Sequence, residues 1–447
     1  MNYADSERIQ TVFNKAGYTK VHDPLLCDVI VILSCSVRQK AEEKVIGWIN
    51  NIRKHIQEKT GHQPIIILTG CMVRRDYENN NSIKSTKYNT VLKRKLKNSI
   101  IVIDIRQISD IIRTIKCTKR GVGDNKFEIP HPYNRIIELP ENYLSIPPTF
   151  SNNDIIAYIP ISTGCNQFCT YCIVPFARGS EYCRPTTEIL KDVKSALLKG
   201  KKIIILLGQI VDKWSYDSYK FYDLLSEILE NNEDFWLSFL SSHPSYMDEN
   251  VLRLIVENPK MLKFLGLPLQ SGDNHVLKRM NRGYSFPDYL KIINKLKQIN
   301  NEYPQKTVND IYITTDIIVG FCDETKKEFE NTYKNLKKVV PHRIFLAPYS
   351  NRPGSIADKM YNDNVSPQTK KSRFKKIKAL SEKFYYNYNH KLINTKILVR
   401  PKNLKMGITI SNQFIELSEV IQTDIGQVRT ALILKGNKYG ISGKIIR

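Results

Sequence analysis

The sequence predicts an α/β chain in three parts: an N-terminal parallel-sheet α/β domain, a central partial (β/α)6 barrel and a small C-terminal β-barrel. Three observations carry this reading. Short apolar runs alternate with helical periodicity along most of the chain, as expected of parallel strands buried on both faces. Between residues 157 and 342 the alternation passes through six such runs, enough to curl into a partial barrel. Beyond about residue 390 the pattern changes to short strands with Gly at the turns.

In the first part, 28–34 and 64–69 read as buried strands that end at Cys35 and at Gly70-Cys71, and 99–104 reads as a third. Helical periodicity runs from 41 to about 56. The stretch 77–98 is rich in Lys and Asn without apolar periodicity, and reads as an exposed or partly disordered insertion. The barrel strands are expected at 158–162, 203–207, 236–240, 264–267, 311–319 and 343–347, with amphipathic helices such as 187–198 and 287–299 between them. A basic helix is expected over 366–388, then an antiparallel barrel or sandwich over 391–446, a kind of module that often grips RNA. The domain division is 1–125, a linker 126–150, 151–385 and 386–447.

A chain of 447 residues has room for two or three cores. Its net charge of +24 fits a polyanionic partner such as RNA, although an AT-rich gene would also enrich Lys, Ile and Asn. No apolar run approaches the roughly 18 residues a membrane span needs. The polar start Met1-Asn-Tyr-Ala-Asp-Ser-Glu-Arg is unlike a signal peptide, and nine cysteines is an odd count, so disulfides are not expected and the location is expected to be cytoplasmic.

Cys165, Cys169 and Cys172 form a CxxxCxxC array on the loop after the first barrel strand, where barrels carry their active sites. Three thiolates so close hold three corners of a [4Fe–4S] cube and leave one iron open to a small molecule. A zinc knuckle would need a fourth ligand nearby, and Cys183 is the one candidate. Cys35 and Cys71 end two strands of one sheet. They are either convergent ligands at the carboxyl edge or small buried hydrophobes. Polar residues recur at the later strand ends: Gly208-Gln209, Ser241-Ser242-His243-Pro244, Gln270-Ser271-Gly272, Thr314 to Asp316, and Tyr349-Ser-Asn-Arg-Pro-Gly354. Each alone is turn chemistry; together they read as the lining of a pocket.

These stretches resemble the radical S-adenosylmethionine (SAM) methylthiotransferases along nearly the whole chain. The supporting motifs are Met1-Asn-Tyr-Ala-Asp-Ser-Glu-Arg-Ile9, Ser34-Cys-Ser-Val-Arg-Gln-Lys-Ala-Glu-Glu-Lys-Val45, Gly164-Cys165 with Tyr171-Cys172, Arg178-Gly179 with Arg184-Pro185, Leu267-Pro-Leu-Gln-Ser-Gly272, and Tyr349 to Gly354. Cys-Ser-Val-Arg followed by Lys-Ala-Glu-Glu-Lys is most similar to the tRNA branch that acts on isopentenylated adenosine 37. The threonylcarbamoyladenosine branch has a different run after that cysteine.

The resemblance implies two [4Fe–4S] clusters and SAM as cofactors. A cluster on Cys165, Cys169 and Cys172 would bind SAM and cleave it with one electron. The 5′-deoxyadenosyl radical so formed would take hydrogen from C2 of the adenine. A second, auxiliary cluster would supply sulfur, and a second SAM the methyl group. Residue by residue, Cys35 and Cys71 match two of the three auxiliary ligands. Gly208, Gln209, Ser242, Gln270, Ser271 and Asp316 sit where the fold would place cofactor and substrate contacts. The terminal module resembles a TRAM domain, which would hold the tRNA anticodon loop. A flavodoxin- or ferredoxin-like electron donor and a monomer without membrane contact are also implied.

The chain departs from this family at its start. The family's first auxiliary cysteine lies in Gly-Cys-x-Met-Asn, which places it two residues ahead of Met1. Either Met1 is an internal methionine of a longer protein that carries a further strand, or the auxiliary cluster has two cysteine ligands plus an exogenous one, or it is absent. Cys27 is a poor replacement, because eight extended residues to Cys35 span roughly 26 Å. Cys117, Cys183 and Cys322 read as structural. Two other functions remain open at this point: a ribosomal-protein aspartate methylthiotransferase, and a degenerate RNA-binding protein with only the radical cluster intact.

Overall fold

The computed structural model describes residues 1–34, 39–61, 63–73, 100–119, 143–150, 154–304 and 310–446, with backbone alone for 39–42 and 116–119. The expected insertion at 77–98, most of the linker and Cys35 lie outside these residues.

The N-terminal sheet is parallel, in the order Val29–Ser34, Ile65–Gly70, Ile101–Val102. The register sets Ser34 beside Gly70. Ser34 and Gly70 therefore end neighbouring strands at one edge, and Cys71 follows the second. Gly70 has φ +93°, and a Cβ there would meet Ser34 O at 2.6 Å, so the two strand ends approach as closely as only glycine permits. The third strand is shorter than the 99–104 expected, pairing only at Ile67 with Ile101 and Leu68 with Val102.

The central strands Ile156–Pro160, Ile203–Leu207 and Trp236–Leu240 form one parallel sheet, and Phe264–Gly266, Tyr312–Val319 and Arg343–Pro348 another. A parallel bridge from Leu237 to Met261 links the two into a six-stranded partial barrel. Helices pack outside. Phe286–Glu302 starts at a Ser285/Asp288 capping box and Lys326–Val339 at a Thr325/Glu328 box, each satisfying donors the helix start leaves open. Apolar strands such as Ile203 to Leu207, buried throughout, fill the core with Ile189, Leu224, Leu265 and Ile293.

The helix Pro367–Lys391 leads into a closed barrel of Lys396–Pro401, Met406–Thr409, Phe414–Ser418, Arg429–Asn437 and Gly440–Ile446. This barrel is not wholly antiparallel, since Phe414–Ser418 runs parallel to Gly440–Ile446. Arg400 seats it on the core. Its guanidinium bonds Asp234 at 3.0 and 2.5 Å and lies over the Trp236 ring at 4.7 Å.

The first helix, Asn2–Lys15, docks on the central barrel through buried ions. Arg8 Nη2 lies 2.9 Å from Asp192, which Arg184 also meets at 3.0 Å. Asp5 meets Arg178 at 2.7 Å, both side chains almost wholly buried. Tyr3 stacks on Tyr158 with centroids 5.5 Å apart.

Candidate active site

The three-cysteine loop leaves the first barrel strand through Gly164, at φ +73°, where any Cβ would run into Ser180 O. Cys165 N–H donates to Gly179 O at 3.1 Å, closing the loop on itself. Its far side is held by another segment: Thr170 N–H and Oγ1 donate to Met280 O (3.1 Å) and Arg279 O (2.9 Å). Asn281 Nδ2 donates to the carbonyls of Gln167 and Phe168. From behind, Ala357 N–H donates to Thr170 O at 2.7 Å.

Cys165, Cys169 and Cys172 face one cavity of about 930 Å³. Backbone N–H groups donate to two of the sulfurs, Gln167 to Cys165 (3.5 Å) and Val174 to Cys172 (3.4 Å). Arg282 Nη1 donates to Cys169 Sγ at 3.1 Å and its Nε to the Tyr284 hydroxyl at 3.1 Å. Burial alone would lower the Arg282 pKa, but Tyr171, Tyr284 and Cys169 press it well above the ordinary range, so this guanidinium is a fixed cation. Burial pushes the Cys172 thiol up to about 12, with Cys169 and Cys165 adding to the rise. Binding of iron at Cys172 would therefore release that proton.

Among the described residues, no three His, Cys, Asp or Glu side chains are gathered as a single metal ion demands. Three corners of an iron–sulfur cube stand farther apart than ligands of one ion. The donor set fits such a cube: three soft sulfurs on one loop, N–H groups aimed at them and a cation beside them.

Along the strand ends, Gln209, Ser242, Gln270 and Asp316 line the same cavity, as expected from their positions. Gln270 takes a left-handed backbone (φ +68°) and its N–H donates to Asp316 O at 2.8 Å, tying two strand ends together. Gly208 and Ser271 do not line it. A Cβ on Gly208 would meet Ser162 Oγ at 2.6 Å, so this glycine serves packing. Ser271 is fully buried and bonds Thr332 Oγ1 at 3.1 Å, capping the chain behind the rim. The segment Tyr349 to Gly354 is also absent from the lining; the chain just past it holds the cysteine loop through Ala357 instead.

The sequence reading missed Arg282, whose only signal was a basic residue beside Gly283-Tyr284, and His243 and Asp212 in their roles. Asp212 accepts the His243 backbone N–H with both oxygens at 2.9 Å, pinning the Ser242 corner. Burial raises the Asp212 carboxyl to about 8. Burial, with help from Arg282 and Lys213, lowers His243 to about 3, so its ring is neutral.

The far wall of the cavity belongs to the C-terminal barrel: Met406, Asn412, Phe414, Glu416, Lys435 and Tyr439. Phe414 is 60% exposed and Tyr439 83%, and Phe345 on the core side is 41% exposed. Arg343 lies over the Phe345 ring at 5.2 Å.

Cys71 is buried outside this lining, and Arg178 Nε donates to its sulfur at 3.2 Å. Cys27 is partly exposed before the first strand, with its thiol on Asp23 O at 3.4 Å. Cys322 is fully buried among Val276, Met280 and Phe321, and Cys183 is half-buried, paired with Ser162. The Cys117 side chain lies outside the described residues.

Residues 159–336 match the Radical SAM superfamily, and residues 1–92 the Uncharacterized protein family UPF0004. A protein of Herpetosiphon aurantiacus named tRNA-2-methylthio-N(6)-dimethylallyladenosine synthase is 32% identical over 415 residues, covering 91% of this chain and 85% of its own. One of the same name from Dictyoglomus thermophilum is 31% identical over 461 residues, covering 100% and 96%. Among solved structures, the apo form of the cobalamin-dependent SAM radical enzyme OxsB is similar in fold. It has a TM-score of 0.51 at 13% identity, over 86% of this chain and 53% of that one.

Proposed function

The chain belongs to the tRNA-2-methylthio-N(6)-dimethylallyladenosine synthase family, and on that premise we propose that it places a methylthio group on C2 of N6-isopentenyladenosine 37 in tRNA. The observation that carries this is one cavity with three cysteines at one wall, Cys165 and Cys169 buried and Cys172 half-buried, and an exposed aromatic, basic module at the other. Its volume of about 930 Å³ suits a cofactor and an extruded nucleoside together.

Cys165, Cys169 and Cys172 are the residues that would hold a [4Fe–4S] cluster, whose chemistry is one-electron reductive cleavage of SAM. The chain's own groups bind and orient. Arg282 fixes positive charge against Cys169. Gln209, Ser242, Gln270 and Asp316 offer polar contacts to cofactor and substrate from four strand ends. Cys35 and Cys71 are assigned to the auxiliary cluster. Residues 1–125, 151–385 and 386–447 are read as its methylthiotransferase, radical and TRAM-like RNA-binding domains. Phe414, Tyr439 and Lys435 fit the loop of a single-stranded nucleic acid, by stacking and by charge. A flavodoxin- or ferredoxin-like donor, a monomeric state and a cytoplasmic location complete the reading; among the described residues no helix is long and apolar enough to cross a membrane.

The test is nucleoside mass analysis of tRNA from a deletion strain that expresses this chain. The expected result is an isopentenyladenosine heavier by one thiomethyl unit. Its absence, with the chain expressed and loaded with iron, would overturn the reading. A reconstituted chain with about eight irons excludes the degenerate RNA-binding alternative, which would hold about four. The relatives named above are tRNA enzymes, which disfavours a ribosomal-protein substrate.

A further inference from the structure

We propose that Ser242 and His243 form the subsite for the methionine carboxylate of SAM, with His243 Nε2–H as the principal donor. This rests on the reading above that SAM enters the cavity of the three cysteines.

Both residues line that cavity just past the strand Trp236–Leu240, and both are buried. Each carries a buried polar atom without a partner among the described residues, Ser242 Oγ and His243 Nε2. The ring proton can be placed. Ser245 N–H donates to His243 Nδ1 at 3.2 Å, so Nδ1 is the acceptor. The ring is neutral, so Nε2 carries the hydrogen. An N–H buried without an acceptor is destabilising, and an apolar side chain would fill the same corner without that cost. A bound acceptor removes it.

The corner is rigidly held. Asp212 accepts the His243 backbone N–H with both oxygens, and Ser241 O accepts Val211 N–H at 3.0 Å. Ser241 itself has φ +73°, a left-handed backbone that costs any residue but glycine and that gathers at ligand sites.

The corner also stands against the cysteine wall. Three residues on, the Tyr246 hydroxyl donates to Gln167 Oε1 of the cysteine loop at 3.2 Å. The His243 and Tyr284 rings meet T-shaped with centroids 5.3 Å apart. Tyr284 in turn accepts Arg282 Nε, and Arg282 Nη1 reaches Cys169. Arg282 and Lys213 put His243 in a positive field, which works against a charge on its ring. A hydroxyl and a neutral N–H in such a field suit an anion and disfavour a cation. SAM carries an ammonium, a sulfonium and a single anionic group, its carboxylate.

The experiment is equilibrium binding of SAM and of decarboxylated SAM to the full chain, reconstituted anaerobically and left unreduced so that nothing is cleaved. His243→Leu should weaken SAM about 10- to 150-fold, the range for hydrogen bonds to charged groups, with iron content as in wild type. His243→Gln keeps an N–H donor and should recover most of that loss. Ser242→Ala should weaken SAM less than His243→Leu does. Decarboxylated SAM should bind wild type and all three variants alike, and anticodon stem-loop affinity should not move. Unchanged SAM affinity in His243→Leu would overturn the proposal. So would an equal loss for decarboxylated SAM, or a loss of stem-loop affinity alone, which would give the corner to the nucleic acid. Should His243→Leu lose iron or fail to fold, Ser242→Ala decides by the same comparison of the two ligands. The function proposed above fails separately: SAM bound as expected, with no thiomethyl product, overturns that reading and supports this one.

Discussion

Arg282 Nη1 lies 3.1 Å from Cys169 Sγ, a buried cation against the middle cysteine of the loop. The two residues are 113 positions apart, so the contact is made by the barrel and not by the loop. The same side chain also bonds Tyr284 and reaches the Tyr171 hydroxyl at 3.4 Å.

Arg282→Met removes donor and charge together while keeping similar bulk. Outer-shell partners of metal ligands are worth about 10- to 100-fold in metal affinity or activity. SAM cleavage by the reconstituted variant should fall by that order, with the circular dichroism of the fold retained. A rate equal to wild type would mean that the cation serves packing alone.

The cysteines should separate by the step they serve. Cys169→Ala should abolish SAM cleavage, because an incomplete corner leaves the iron site unformed. Cys71→Ala should keep SAM cleavage, seen as release of 5′-deoxyadenosine, and lose the thiomethyl product. A Cys71→Ala enzyme that still thiomethylates tRNA would remove Cys71 from the sulfur site.

The reach of the sequence can be judged from these same residues. Strands such as Ile203–Leu207 and Trp236–Leu240 were legible because parallel strands buried on both faces are written as apolar runs, unbroken in the first and interrupted only by Ser238 in the second. The cysteine loop was legible because its residues are local. Arg282 and the pairing of Arg178 with Cys71 were not, since each joins positions more than a hundred residues apart. Tyr349 to Gly354 was read as lining because it is polar and ends a strand; polarity marks a turn equally well, and the chain there turns behind the loop. Ser271 and Gly208 stand outside the lining for a related reason. A strand-end position does not say which side of the rim a residue faces, and Thr332 and Ser162 claim those two.

Asp212 gives a pH signature with a definite sign. Its carboxyl is raised to about 8 by burial, although the His243 N–H favours the charged form. Unfolded, the group titrates near 3.9. Between those values the unfolded chain releases a proton that the fold retains, so Asp212 costs stability increasingly as pH climbs from about 4 to 8. Asp212→Asn keeps an acceptor for His243 N–H without that cost. The variant should match wild type in urea unfolding near pH 4 and exceed it near pH 8. A gap that narrows as pH rises would contradict the buried, protonated carboxyl.

Asp192 holds two guanidinium groups in the interior, Arg8 at 2.9 Å and Arg184 at 3.0 Å. Burial and Arg184 press the Arg8 cation toward losing its charge, and Asp192 opposes them. Asp192→Ala would leave Arg8 buried without its carboxylate, while Arg184 keeps Glu188 at 3.4 Å. Breaking such a set typically costs about 3–5 kcal/mol. The loss should appear first as release of the helix Asn2–Lys15, detected as faster proteolysis near the N-terminus before the barrel unfolds. Equal protection in the variant would show that the Asp5–Arg178 pair and the packing of Ala4 suffice to hold the helix.

Phe414 and Tyr439 carry the last prediction. Rings of that size at 60% and 83% exposure lose hydrophobic stabilisation where they stand, and both line the cavity that ends at the cysteines. Stacking on bases would recover that surface. Each base–aromatic stack is worth about 1–3 kcal/mol by alanine substitution. Phe414→Ala and Tyr439→Ala should each weaken binding of an anticodon stem-loop by about 5- to 150-fold, with little change in thermal stability, because exposed rings contribute little to the fold. Lys435→Ala should act differently: a lost phosphate contact lowers the slope of log affinity against log salt by about 1, whereas a lost stack leaves that slope unchanged. Fluorescence anisotropy over a salt series separates the two. If the aromatic variants flatten the salt slope as Lys435→Ala does, or leave affinity untouched, the rings do not stack on bases and the nucleic acid enters the cavity by another side.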